Sequence, residues 1–167
     1  MTGPLFLVGF MGSGKSAVGR RVAQQLDLEF RDCDRLIADA AGKTVEEIFR
    51  EDGETAFRET ESRVVDQLCT GGALVAATGG GAFLSFRPRS RMIVSGITVW
   101  LDVPLPVIRT RLAGERQNRP LYDRDDPVGM RLLYEKRMPS YALARHRVDG
   151  TDLDRSVEQV VRLTRER

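Results

Sequence analysis

The stretch with the clearest chemistry is Gly9-Phe10-Met11-Gly12-Ser13-Gly14-Lys15-Ser16, which matches G-x-x-x-x-G-K-S. It follows the apolar run Leu5 to Val8 and leads into a segment with Val18, Val22 and Leu26 at helical spacing, the strand–loop–helix setting this motif needs. Glycines let successive backbone N–H groups wrap a phosphate without Cβ clashes, and the helix N-terminus adds its positive dipole end. Lys15 has the reach for β- and γ-phosphates, and the Ser16 hydroxyl is a ligand for Mg²⁺. The motif implies nucleotide binding and leaves the phosphate acceptor open.

Three further features fall where an acceptor would sit, beyond the C-terminal ends of parallel strands. Asp32-x-Asp34 ends a second apolar stretch, Leu28 to Phe30. In extended backbone, residues i and i+2 face one side, so both carboxylates would enter one cleft. Alone, such a pair is more often a polar turn with a helix cap, and Asp34 is placed to cap the next helix. Arg58 and Glu61 share a helix face at i,i+3, which by itself implies only a surface ion pair. The run Gly79-Gly80-Gly81 would let a ligand rest on the backbone, or be a loose turn.

The elements that must position these residues alternate. Strands are expected at Leu5–Val8, from Leu28, at Leu74–Ala77, at Ile97–Leu101 and, weakly, at Arg147–Asp149. Helices are expected from Lys15 to Leu26, from Asp34 to near Gly42, and from Gly53 to about Cys69. A short one starts at Thr44, with Glu47 at the capping-box position and Ile48 and Phe49 facing inward. Others begin with Pro104 at N1, near Val128 and at Leu153. Between about Leu112 and Asp126 periodicity is lost in a polar, arginine-rich stretch that reads as a mobile surface loop. This alternation implies an α/β sandwich of one domain around a central, mainly parallel sheet of five strands.

Composition excludes more than it identifies. The 167 residues are 41% hydrophobic and 30% charged, and no run approaches the ~20 apolar residues a membrane span needs. The N-terminus lacks the basic region of a signal peptide, so a cytoplasmic protein is expected. Cys33, Cys69 and the single His146 have no zinc spacing, and neither a zinc site nor a disulfide is expected. A net charge of +2, with acids interleaved among the arginines, argues against nucleic acid as a partner. The only lysines are Lys15, Lys43 and Lys136, so one of three stands where a phosphate loop requires it.

Taken together, the motifs resemble the shikimate kinase family. The phosphate loop, the D-x-D, the F-x-x-x-G-E-x-x-F-R-x-x-E string from Phe49 to Glu61 and the T-G-G-G-A of Thr78 to Ala82 occur in that family's order. Arg119-Pro120-Leu121 resembles its lid motif, and Arg137-x-Pro139-x-Tyr141 the motif after the lid. The resemblance spans nearly the whole chain. It implies a three-layer P-loop fold like that of nucleoside monophosphate kinases, a single kinase domain over 1–167, and a mobile lid at about 112–126.

Roles carry over by position. The resemblance puts the ATP phosphates on Gly12, Ser13, Gly14, Lys15, Ser16 and Ala17, with the Mg²⁺ site on Ser16 and on Asp32 nearby, through water. It gives Asp34 to the ring hydroxyls and to the proton of the attacking hydroxyl, and Arg58 and Arg137 to the shikimate carboxylate, with Gly79, Gly80 and Gly81 lining that pocket. Arg119 would meet the phosphates from the lid, and Lys15, Asp34 and Arg119 form the catalytic set. Arg111 matches the adenine-side arginine, with Arg109 a competitor because the stretch to Arg119 is one residue longer than usual. Cys33 stands where a small hydroxyl residue is common, and its side chain is expected to face away from the cleft.

The implied reaction is phosphorylation of the 3-hydroxyl of shikimate by ATP, on the route to chorismate and aromatic amino acids. ATP or ADP and shikimate would be the partners, with no membrane and a monomeric protein. The nearest alternative is a related kinase of another hydroxylated acid such as gluconate. A non-catalytic nucleotide-binding module is a further alternative, against which Asp34, Arg58 and Arg119 argue.

Overall fold

In the computed structural model of the chain, the structure describes residues 2–114 and 126–165. Five strands, β1 (Leu5–Val8), β2 (Glu29–Asp32), β3 (Leu74–Ala77), β4 (Ile97–Asp102) and β5 (His146–Asp149), form one sheet. Their order is β2-β3-β1-β4-β5, and every neighbouring pair is parallel. β1 and β3 are buried at every position, as near-continuous apolar strands covered on both faces should be.

Alternation along β1 divides the interior in two. Leu5 and Leu7 join Val18 and Val22 of α1 (Lys15–Leu26) and Val157 and Val160 of α8 (Leu153–Arg165) on one face. Phe6 and Val8 join Ile37 of α2 (Cys33–Ala41) and Phe57, Val64, Val65 and Leu68 of α4 (Gly53–Thr70) on the other. Each such fully buried side chain contributes about 1.5–3 kcal/mol. Three layers result, as expected.

Local signals explain most boundaries. Thr44 caps α3 (Val45–Glu47) in the full capping box, worth about 1 kcal/mol. Gly42, with a left-handed φ of 64°, ends α2. Two starts differ from expectation. Pro104 is the N-cap of α6 (Leu105–Ala113) rather than its first residue. Asp32, not Asp34, caps α2, because its carboxylate accepts from the Asp34 N–H at 3.1 Å. The α6 helix also carries the buried Leu112 into the stretch expected to be loop.

Two elements had no counterpart in the sequence reading. Helix α5 (Phe86–Ser95) lies between Gly81 and β4. A π-helical turn, Ile48–Asp52, joins α3 to α4 and is fastened by Lys43, whose Nζ lies 2.9 Å from Asp52 and 3.3 Å from Glu51. Its wider register turns Phe49 against Phe57, with ring centroids 4.5 Å apart. Past residue 126, α7 (Pro127–Tyr141) leads to β5. No described helix is long and apolar enough to cross a membrane.

Candidate active site

The chain leaves β1 toward β2 and β4 toward β5, so its direction reverses between these neighbours. Crevices at the C-terminal ends of strands around such a reversal are where open α/β sheets bind ligands. The loop from Gly9 to Ser16 occupies that position. Gly14 caps α1 with φ 88°, a left-handed conformation that a side chain would strain.

Lys15 lies against this loop, donating to the Gly9 and Phe10 carbonyls at 3.0 and 2.8 Å and to Ser13 Oγ at 3.3 Å. The next side chain, Ser16, donates its hydroxyl to Asp32 Oδ2 at 2.6 Å, although 16 residues separate them in sequence. Parallel β2 ends beside the phosphate loop and brings the two oxygens together. This hard-oxygen pair fits Mg²⁺, which takes one or two protein ligands and fills its remaining positions with water and phosphate.

Arg111 closes the other side of the loop. Its Nη1 donates to the Ser13 carbonyl at 3.3 Å, and its Nη2 to the Gly150 and Thr151 carbonyls at 2.9 and 2.7 Å. The turn it meets is held by Asp149, whose carboxylate accepts from the Thr151 N–H at 2.9 Å and lies below its ordinary pKa because of Thr151. Arg109 faces solvent, so the geometry favours Arg111 of the two.

Next to the loop, on the β2–β3 side, is a cavity of about 100 Å³ lined by Met11, Asp34, Arg58, Glu61 and Arg137 among others. Gly79, Gly80 and Gly81 form its floor, and Val45, Phe49 and Phe57 give it one apolar wall. Gly79 is needed for close approach, since a Cβ there would stand 2.9 Å from both Asp34 Oδ1 and Glu61 Oε1, whereas one on Gly80 would make ordinary contact, 3.5 Å from Arg137 Nη1.

The D-x-D arrives differently from the extended geometry anticipated. Asp32 ends β2 while Asp34 lies in the first turn of α2, so the two carboxylates diverge. Asp32 turns to Ser16, Asp34 lines the cavity, and Cys33 between them is fully buried in the core. Separate environments give the two acids separate tasks.

Nor is the Arg58–Glu61 pair a surface contact. Nη1 of Arg58 donates to Glu61 Oε2 at 2.7 Å, and the Glu61 side chain is only 2% exposed. Burial pushes the Glu61 carboxyl up, although Arg58 beside it pulls the other way. Arg58 also meets Glu54 at 3.1 Å and lies 5.1 Å from the Phe57 ring. Arg137, 5% exposed, has its guanidinium 5.5 Å from the centre of the Phe10 ring. Among the described residues, two buried side-chain atoms lack a hydrogen-bond partner: Glu61 Oε1 and Arg137 Nε. Both belong to residues lining this cavity, where a polar ligand could satisfy them.

The structure brings Asp34, Arg58, Gly79–Gly81 and Arg137, read from the sequence as one pocket, to one cavity, which the phosphate loop touches through Met11. Arg119 and most of the expected lid lie outside the described residues. The reading missed Met11 and Val45, and left Phe49, Phe57, Glu61 and Tyr141 without a role in the site. Phe49, Phe57 and Glu61 carried a signal as fixed positions of the string around Arg58, and Tyr141 as the last position of the Arg137-x-Pro139-x-Tyr141 motif.

The comparisons with known proteins accord with this geometry. The family model described as Shikimate kinase matches residues 11–166. A shikimate kinase from Brucella canis is 45% identical over 139 residues, covering 83% of this chain and 69% of the relative. The structure of a shikimate kinase from Acinetobacter baumannii in complex with shikimate is 34% identical, with a TM-score of 0.89 over 98% of this chain and 93% of that one. A gluconokinase from Sinorhizobium meliloti shares the fold at a TM-score of 0.61, with 18% identity over 98% of this chain and 93% of that one. A match over nearly the whole length, on top of a phosphate loop beside a cavity lined by two arginines, shows that the chain belongs to the shikimate kinase family.

Proposed function

We propose that the chain transfers the γ-phosphoryl group of ATP to the 3-hydroxyl of shikimate, using the residues gathered around the cavity. The observation that carries this reading is the adjacency of two chemistries. A phosphate loop borders a pocket that has Arg58 and Arg137 as carboxylate anchors and Asp34 as a hydroxyl partner. A guanidinium fork suits a planar carboxylate. The apolar wall of Val45, Phe49 and Phe57 suits the face of a six-membered carbon ring better than the open polyol chain of gluconate.

In the transfer, the shikimate 3-oxygen forms a bond to the γ-phosphorus while the bond from that phosphorus to the β,γ-bridging oxygen breaks. ADP leaves with the bridging oxygen, and the hydroxyl proton passes to Asp34. Gly12 to Ala17 hold the ATP phosphates, Lys15 spreads their charge, and Arg111 braces the base side. Ser16 and Asp32 would hold Mg²⁺, which would supply neutralisation of the phosphate charge. Arg119, outside the described residues, is assigned to the migrating phosphoryl group from a lid at about 112–126. Residues 1–167 act as one kinase domain, and since every assigned residue comes from one chain, a monomer suffices. Its soluble metabolite substrates fit a cytoplasmic enzyme.

Coupled ADP release with shikimate and gluconate tests the assignment. Turnover with shikimate that Lys15→Ala reduces by roughly 100-fold or more supports it, the scale at which lost transition-state charge stabilisation shows. Turnover with gluconate and none with shikimate would refute it.

A further inference from the structure

The floor of the acid pocket is held from a distance. Tyr141, fully buried near the end of α7, donates its hydroxyl to the carbonyl of Gly80, 61 residues earlier in the chain. The neighbouring carbonyls are taken by the loop itself: Gly79 O accepts from Ala82 N at 3.2 Å and Gly81 O from Leu84 N at 3.0 Å. All three carbonyls are thus engaged. Gly80 is the one whose carbonyl depends on a side chain from another element.

Tyr141 also stands one helical turn after Arg137, and the Arg137 guanidinium lies beside the same hydroxyl. Two parts of the pocket, the Gly80 peptide and the Arg137 fork, therefore meet at one phenol. Burial pushes this phenol up to about 12, so it keeps its proton, and its hydrogen bond, at any working pH. The Gly80 position adjoins the phosphate loop too, since a Cβ there would stand 3.4 Å from Met11 N and 3.6 Å from Gly9 O. The Gly80 peptide thus lies in contact range of both the loop and Arg137.

We infer that Tyr141 is a positioning residue for acid-substrate binding, its hydroxyl fixing the Gly80 peptide and the Arg137 guanidinium in register with each other. This rests on the shikimate reading, and the test keeps the two separable. Tyr141→Phe keeps the ring and its packing, 6.3 Å from Trp100, and removes only the hydroxyl. Its shikimate KM should rise about tenfold, the scale of one lost buried hydrogen bond, while ATP KM stays within about twofold. Trp100→Phe, which loosens packing on the same ring but keeps the hydroxyl, should lower Tm and leave shikimate KM near wild type.

If Tyr141→Phe has wild-type shikimate KM, or raises both KM values alike, the positioning role is overturned. So is it if Trp100→Phe raises shikimate KM as much. Should Tyr141→Phe fail to fold, 3-fluorotyrosine at 141, which changes donor strength at nearly constant shape, must still shift shikimate KM without shifting ATP KM. Absence of that shift overturns the proposal. Wild-type enzyme inert toward shikimate would instead sink the functional reading itself.

Discussion

Arg58 lies across the α-carbon of Gly81 so closely that a Cβ there would stand 2.2 Å from Nη1 and 2.6 Å from Nη2. The backbone at Gly81 is not left-handed, so alanine is conformationally allowed there. Only the guanidinium must yield, and it is the far end of a flexible side chain. Gly81→Ala should therefore still fold while displacing Arg58 from its place in the pocket, with Tm falling to the extent that the guanidinium moves off the buried Glu61. We expect shikimate KM to rise by about tenfold to 100-fold, the scale of one or two charge-assisted hydrogen bonds, with ATP KM unchanged. Paired steady-state titrations of both substrates decide it, and an unchanged shikimate KM would show that Arg58 does not hold the acid.

Removing Arg58 outright should have two separable effects. Arg58→Ala leaves Glu61 buried without its cation, a loss that typically costs about 3–5 kcal/mol before the carboxyl takes up a proton. Adding Glu61→Gln removes the orphaned charge. The double variant should regain much of the stability in urea unfolding, yet bind shikimate as poorly as Arg58→Ala alone. Recovery of shikimate binding along with stability would mean that Arg58 only supports the fold.

How far the sequence revealed this site depends on the range of each interaction. The phosphate loop was legible because strand, glycines, lysine and helix are contiguous and each constrains the next. So was the capping box at Thr44, whose partners are three residues apart. Helix α5 was not, since Pro88 and Met92 are its only buried residues and leave too thin a stripe to read. The π-helical turn is a change of hydrogen-bond register, which no residue type announces. The D-x-D was read as extended because nothing local says that the helix starts between its two acids. Glu61 looked like a surface residue because its burial depends on Gly79 and Asp34, brought in from β3 and α2. Tyr141 could not be linked to Gly80 without the fold that brings α7 over the end of β3.

Asp32 has two oxygens with two duties, since Oδ2 accepts from Ser16 and Oδ1 caps α2 through the Asp34 N–H. Asp32→Asn keeps an oxygen for the cap, so stability should change by less than about 1 kcal/mol. It removes the negative charge beside the Ser16 hydroxyl. The Mg²⁺ concentration for half-maximal activity should then rise about tenfold or more at fixed ATP, as expected when a divalent-cation ligand loses its charge. Activity titrated against Mg²⁺ and a denaturation curve on the same protein separate the two duties. Unchanged Mg²⁺ dependence would remove Asp32 from the metal site.

Glu61 makes stability depend on pH in a direction opposite to that of most carboxylates. Burial raises its folded pKa above the ordinary value of 4.5, and Arg58 offsets only part of this. The folded state thus holds the proton more tightly than the unfolded chain does. The resulting stabilisation is fully present below the unfolded pKa and is lost as pH rises through the folded one. Glu61→Gln cannot titrate, so its unfolding free energy isolates the effect when subtracted from that of the wild type at each pH. That difference should fall as pH goes from about 4 toward 8 and then level off. Urea unfolding of both proteins across the series measures it. A difference that instead grew with pH would mean that Arg58 overcomes burial, leaving Glu61 an ordinary ion-pair partner rather than a carboxyl that binds its proton more tightly in the fold.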